Sequence, residues 1–255
     1  MKKEPLFIAY STQKGGVGKS AMTTLTASML HYRMGFNVAV FDCDFPQWSI
    51  GKLRERDVKI SMENDRFKRM AYEQFSTLDK KAYPILTCRA EEAIEAAEDF
   101  IRDAAIGYDF VFFDMPGTVN SAGILEVLAR MNFIFIPIIA DRLILESTLP
   151  FVNVFRDSLR ENGNNYVRGM HLFWNMVDGR EKSELYSGYE KVIHELNLSL
   201  MKTTIPDTKR FRKEIATEAP NRLIFRSSIF PPDKRLSKTT RLDDFIEELM
   251  QIIKL

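Results

Sequence analysis

The chain is poor in the residues from which metal and redox centres are built. Its 255 residues hold two cysteines and three histidines. Cys43 and Cys88 are far apart in the sequence, each inside an apolar, strand-like run, and no Cys-x-x-Cys occurs. They read as buried free thiols in a reducing cytosol. His31, His171 and His194 form no close-spaced pair, which argues against a zinc or iron–sulfur centre. Long apolar runs are also missing, since none approaches the ~20 residues of a membrane span. The opening Met1-Lys2-Lys3-Glu4-Pro5 leads straight into a short strand-like run, too short for the apolar core of a secretion signal. Cytoplasmic residence is therefore expected. Charge of one sign is lacking too. The net charge is +1, so any affinity for a polyanion must come from a local patch.

What is present is ordinary in bulk and specific in pattern. Hydrophobic residues make up 45% and charged residues 28%, as in globular domains generally. The length suits one large α/β domain over residues 1–255. Strand-like runs cover Leu6–Ser11, Asn37–Cys43, Tyr83–Thr87, Phe110–Asp114, Phe133–Ile139, Met170–Asn175 and Met201–Ile205, with an eighth candidate at Leu223–Ser227. Most are apolar throughout, the mark of parallel strands covered on both faces. Helical patterns lie between them, at Met22–Tyr32, Ala90–Ala105 and Arg142–Glu161 among others. This alternation predicts a doubly wound, mainly parallel sheet with helices on both faces. The densely charged stretch 47–81 reads as an insertion after the second strand, with one helix near Arg66–Phe75.

The most specific segment is Lys14-Gly15-Gly16-Val17-Gly18-Lys19-Ser20, set between the first strand and the first helix. A glycine-rich turn there lets backbone N–H groups close on phosphate oxygens, and the helix dipole favours negative charge. Lys19 would sit on the β- and γ-phosphates and the Ser20 hydroxyl on Mg²⁺. The general pattern wants a glycine where Gln13 stands and has no lysine at position 14.

That departure resembles the deviant Walker A box of the ParA/MinD family of ATPases. The resemblance implies a P-loop fold, ATP and Mg²⁺ as ligands, and slow, partner-stimulated hydrolysis to ADP and phosphate. It also implies that Lys14 reaches across a dimer interface to the neighbour's nucleotide. Two acidic strand ends extend it. Asp42-Cys43-Asp44-Phe45-Pro46-Gln47 is similar to the family's second acidic box, with Phe45 inserted. By that likeness Asp42 positions the attacking water and belongs to the metal shell, while Asp44 lies in the first switch. From the residues alone, both aspartates also suit capping of the following turn. Phe110-Val111-Phe112-Phe113-Asp114-Met115-Pro116-Gly117 resembles a Walker B strand, with Asp114 holding the Mg²⁺ shell and Gly117 permitting movement of a second switch. Asn175 resembles the family's adenine contact, and Pro206 and Asp207 the segment on the other side of the base. The nucleotide set is thus Gly15, Gly16, Val17, Gly18, Lys19, Ser20, Ala21, Asn175, Pro206 and Asp207. Lys14, Lys19, Asp42 and Asp114 are the catalytic set, and Ser20, Asp42 and Asp114 the metal set. Ala21 departs from the family, which usually has a hydroxyl for the α-phosphate.

Partners divide the family. From Lys202 to Arg241 eleven basic residues face four acidic ones, a local excess of +7. Such a patch can hold a phosphate backbone without reading sequence, and Arg210, Arg212 and Lys213 are the candidate DNA contacts. The resemblance then implies an ATP-state homodimer that partitions or positions DNA, a plasmid or a conjugative element, with a ParB-like or other adaptor stimulating it. No helix-turn-helix pattern precedes the P-loop, which argues against operator binding. The alternatives are a MinD-like membrane-recruited ATPase and a nucleotide-binding regulator with little turnover. The last segment, Leu242 to Leu255, has one apolar face. Its polar face carries Asp243, Asp244, Glu247 and Glu248, whereas membrane-surface helices are basic there. A helix packed on the domain is expected.

Overall fold

The structure is a computed structural model and describes residues 4–117, 122–179, 183–215 and 223–254. Among the described residues seven strands form one sheet: β1 (Leu6–Tyr10), β2 (Val38–Asp42), β3 (Ile85–Thr87), β4 (Phe110–Asp114), β5 (Phe133–Ile138), β6 (Gly169–Trp174) and β7 (Ser199–Leu200). All pairings are parallel, in the order β3-β2-β4-β1-β5-β6-β7. The chain leaves β1 toward one edge and later returns past it toward the other, so the direction of winding reverses beside β1. Ligands on such sheets bind outside the carboxyl ends at that point.

Both faces are covered, as the apolar strands predict. Alternate residues point to opposite sides. Ile8, Tyr10, Phe110 and Phe112 enter one cluster, while Ala9, Val111 and Phe113 enter the other. The first cluster packs against helices α1 (Lys19–Ser28) and α9 (Leu242–Ile253). The second packs against α4 (Ala93–Asp103), α5 (Ala122–Leu128), α6 (Arg142–Glu161) and α7 (Ser183–Glu195). Helix α1 ends in a wide π turn over Met29–Arg33. On α9, Leu242, Phe245, Ile246, Leu249 and Ile253 are buried against the sheet. Among the described residues no helix is long and apolar enough to cross a membrane.

Three local expectations need correction. The charged stretch 47–81 contains two helices, α2 (Ser49–Glu63) and α3 (Asp65–Leu78). The buried positions of α2 include Asp57 and Ser61, so its inward face does not read as apolar. Asp57 accepts from the Ser227 and Ser228 hydroxyls and from Ser228 N. The strand expected at Leu223–Ser227 is absent. There, Phe225 N and Arg226 N both donate to the Lys213 carbonyl, and residues 227–228 are held by side chains of α2 and by Tyr32. The strand expected at Met201–Ile205 is replaced by the two-residue β7. Met201 N and Ile205 N still donate to β6 carbonyls, but Lys202 N and Thr203 N turn to the Glu248 carboxylate of α9. That interrupts the ladder. Cys43 and Cys88 are free, the first buried and the second half-buried, and they are close in space, at the ends of adjacent strands, with sulfurs 3.8 Å apart. This contact and burial push the Cys43 thiol up, and the same contact lowers Cys88. The remaining short helix, α8 (Lys234–Thr239), is capped by Asp233.

Candidate nucleotide-binding site

Parallel register brings the key strand ends to one level. Tyr10 of β1 lies beside Asp114 of β4, which lies beside Asp42 of β2. The glycine-rich loop leaves β1 at this level and enters α1. Gly16 (φ 79°) and Gly18 (φ 92°) hold left-handed conformations, which glycine adopts without steric penalty. A Cβ on Gly18 would also meet Asn175 Nδ2 at 2.5 Å. Gly117, after β4, also packs on the loop: a Cβ there would lie 3.1 Å from Gly15 N.

Lys19 is 7% exposed and donates from Nζ to the Lys14 carbonyl at 3.2 Å. Burial lowers its pKa, and the Asp114 and Asp44 carboxylates oppose that. Lys14 is exposed, and its side chain lies outside the cavity lining. Asp114 is fully buried, with its pKa pushed up to about 7 by burial and by the neighbouring Asp42 and Asp44. Hydrogen bonding from Ser20 and the charge of Lys19 act the other way. Thr23 Oγ1 lies 3.4 Å from Asp114 Oδ1, whereas Oδ2 is buried without a hydrogen-bond partner. An orphaned carboxylate oxygen beside the Ser20 hydroxyl is the oxygen-rich setting that a hard cation takes. Mg²⁺ therefore fits the residues present.

The two aspartates after β2 part company. Asp42 is 0% exposed, and its Oδ2 accepts from Ile50 N at 2.8 Å and Gly51 N at 3.0 Å. It caps the start of α2 and stays outside the cavity lining. One Asp42 oxygen is thus engaged by the N–H groups of a helix terminus, which need such partners, and the other, Oδ1, accepts from Asp44 N at 3.4 Å. Asp44 is half-buried and lines the cavity with Ser20, Gln47 and Ser49. Burial raises its pKa and Lys19 opposes the rise.

The cavity measures about 420 Å³. Its far end is built from two segments joined by backbone bonds, Val177 N to Ile205 O and Asp207 N to Val177 O, both 2.9 Å. Asn175, Met176, Pro206, Asp207, Thr208 and Phe211 line it. The amide of Asn175 donates to the Val17 carbonyl at 2.7 Å, so this side chain anchors the loop. Arg226 also lines the cavity and is held by Glu214, which pairs with Arg56 of α2 as well. Phe211 and Arg226 escaped the sequence reading because they follow no motif and are set by tertiary contacts. Ser49 and Gln47 had a signal, their place just after the acidic box. Arg210 and Lys213 stand one and two residues from Phe211, are half-buried and do not line the cavity, while the Arg212 side chain lies outside the described residues.

The profile of the CobQ/CobB/MinD/ParA nucleotide binding domain matches residues 8–221. The chain belongs to that family. This ParA/MinD-type domain also superposes on solved structures of low identity. A plasmid partition protein from Borrelia burgdorferi is 17% identical, with a TM-score of 0.54, over 81% of this chain and 92% of that one. The MinD cell division protein of Aquifex aeolicus is 14% identical, with a TM-score of 0.56, over 98% and 97%. A Cyanothece McdA variant in complex with ATP is 12% identical, with a TM-score of 0.56, over 99% and 96%. At these identities the likeness speaks for the P-loop α/β fold alone. No curated protein matches the ParA/MinD-type chain at the level of sequence.

Proposed function

We propose that residues 1–255 form a single Mg²⁺-dependent ATPase domain of the ParA type, a switch that dimerises around ATP and resets on hydrolysis. The observation that carries this reading is the pairing of a buried Lys19 with an exposed Lys14 on one loop. Lys19 balances the terminal phosphates within the chain. Lys14 points outside its own cavity, where a face-to-face partner's phosphates would meet it, as an arginine finger does in trans. The loop N–H groups from Gly15 to Ala21 cradle the phosphates. Ser20 and Asp114 would hold Mg²⁺, which when bound neutralises charge developing across the β- and γ-phosphates. Asp44, beside Lys19 and open to the cavity, orients the attacking water; Asp42 holds α2 and thereby the loop that carries Asp44. Pro206, Asp207 and Phe211 enclose the base. Arg226 takes the α-phosphate side, where Ala21 offers only its N–H.

DNA is the proposed cargo or track, held without sequence preference in the ATP state. Arg210 and Lys213 support this because they stand within two residues of Phe211, which lines the cavity, so that nucleotide state can reach their segment. The burial of the apolar face of α9 removes the main support for membrane recruitment. A homodimer and a ParB-like stimulating adaptor complete the proposal. Reversing Arg210, Arg212 and Lys213 to Glu should weaken retention of any duplex by about tenfold or more and flatten its salt dependence. An unchanged salt slope in an ATP-state retention assay would place the DNA surface elsewhere.

A further inference from the structure

We propose that Cys43 and Cys88 form a peroxide-sensitive dithiol site that closes reversibly into an intramolecular disulfide and fixes the loop carrying Asp44. The two residues follow the last paired positions of β2 and β3, Asp42 and Thr87. Cys88 N donates to the Asp42 carbonyl at 3.3 Å, so the strands are still side by side at this level. Neighbouring strands lie about 4.8 Å apart, inside the separation that a disulfide bridges. The sulfurs are 3.8 Å apart, and side-chain rotation covers the remaining gap. The pair is also asymmetric. Cys43 is 1% exposed, whereas Cys88 is half-buried and open to small solutes. An accessible thiol beside a buried resolving thiol is the arrangement of redox-sensing cysteines.

The chemistry needs one co-reactant, hydrogen peroxide. The Cys88 thiolate attacks one peroxide oxygen, the O–O bond breaks, and Cys88 becomes a sulfenic acid as the other oxygen leaves as water. The Cys43 sulfur then attacks the sulfenic sulfur. The S–S bond forms, the S–O bond breaks, and the proton lost from Cys43 leaves with the hydroxyl as a second water. Two thiols and one peroxide give one disulfide and two waters. A dithiol reductant reverses this by exchange.

The site matters because of what borders it. Asp44 directly follows Cys43, and the next residue, Phe45, lies under the Arg89 guanidinium at 5.0 Å from the ring centroid. Arg89 directly follows Cys88. The two chain segments therefore run on together past the cysteines, and a disulfide would tie the loop to the β3 edge. The consequence for turnover rests on the assignment of Asp44 as water-positioning residue, but the disulfide does not. Closure should leave nucleotide affinity in place, because residues 14–20 are not tethered, and should slow hydrolysis.

The test treats the full chain with hydrogen peroxide and digests it without reductant. A peptide pair linked through Cys43 and Cys88, short by two hydrogens and released by dithiothreitol, is the expected result. Amide exchange across residues 43–48 should slow about tenfold in the oxidised form, a readout that needs no ATPase activity. Cys88→Ser should abolish both changes and still melt as the reduced wild type does. The proposal is overturned if alkylation finds both thiols free after peroxide. It is equally overturned if Cys88 proceeds to sulfinic acid without a crosslink, if crosslinks join only separate chains, or if exchange across 43–48 is unaltered. A reduced protein with no ATPase activity but a normal crosslink would fail the functional reading alone.

Discussion

The two ends of the nucleotide cavity are made differently. The phosphate end is a run of consecutive residues, Gly15 to Ser20, whose shape comes from backbone dihedrals and one helix terminus. The opposite end is assembled from segments around Asn175, Pro206, Phe211 and Arg226, far apart in sequence and joined by tertiary hydrogen bonds. Gly18 and Asn175 are where they meet, since the Asn175 amide holds the Val17 carbonyl and leaves no room for a Cβ on Gly18. The difference teaches that one end is preorganised by local geometry, whereas the other depends on how distant elements pack. Single changes should therefore weigh unequally on the two.

The largest effect belongs to the phosphate end. Lys19→Ala removes the buried counter-charge, and ATP affinity should fall by about a hundredfold or more in a titration. Affinity within a few-fold of wild type would show that the loop does not hold the terminal phosphates.

The next contrast is between the aspartates of the second strand end. Asp44→Asn should leave ATP binding intact and lower turnover by about a hundredfold. Asp42→Asn should chiefly lower stability, by about 1 kcal/mol in denaturant unfolding, through loss of the α2 cap. If Asp42→Asn abolished turnover at unchanged stability while Asp44→Asn stayed active, the assignment would revert to Asp42.

These residues also show where legibility stops. The loop could be read because its chemistry is written in adjacent residues between a strand and a helix. Helix α6 was read to its residue limits, Arg142–Glu161, because its apolar stripe is regular and Asp141 caps it. Both acidic strand ends were visible, but the capture of the Asp42 carboxylate by the start of α2 was not, because it depends on how the following turn folds back. The eighth strand failed for a related reason. Its run looks like a strand, yet buried Asp57 and two serines supply the bonds that a ladder would have made. Helix α2 was missed because that same aspartate occupies its inward face.

The smallest effect tests the distant end. Arg226→Ala should weaken ATP binding about fivefold, as expected for one partly exposed charged contact. If Arg226 covers for the hydroxyl missing at position 21, Ala21→Thr should shrink that loss to near unity. A double-mutant cycle measures the coupling, and additive effects would assign Arg226 to the Glu214 and Arg56 pairing alone.

The central claim is that each active site borrows Lys14 from a second copy. Lys14→Ala and Asp44→Asn should each be inactive alone. In a symmetric dimer, mixing them equally yields heterodimers in which the Lys14→Ala chain keeps its own Asp44 and receives Lys14 from its partner. The account predicts that the mixture recovers ATP turnover, to roughly a quarter of the wild-type rate. A mixture as inactive as its parents, or a Lys14→Ala protein that turns over normally by itself, would contradict it.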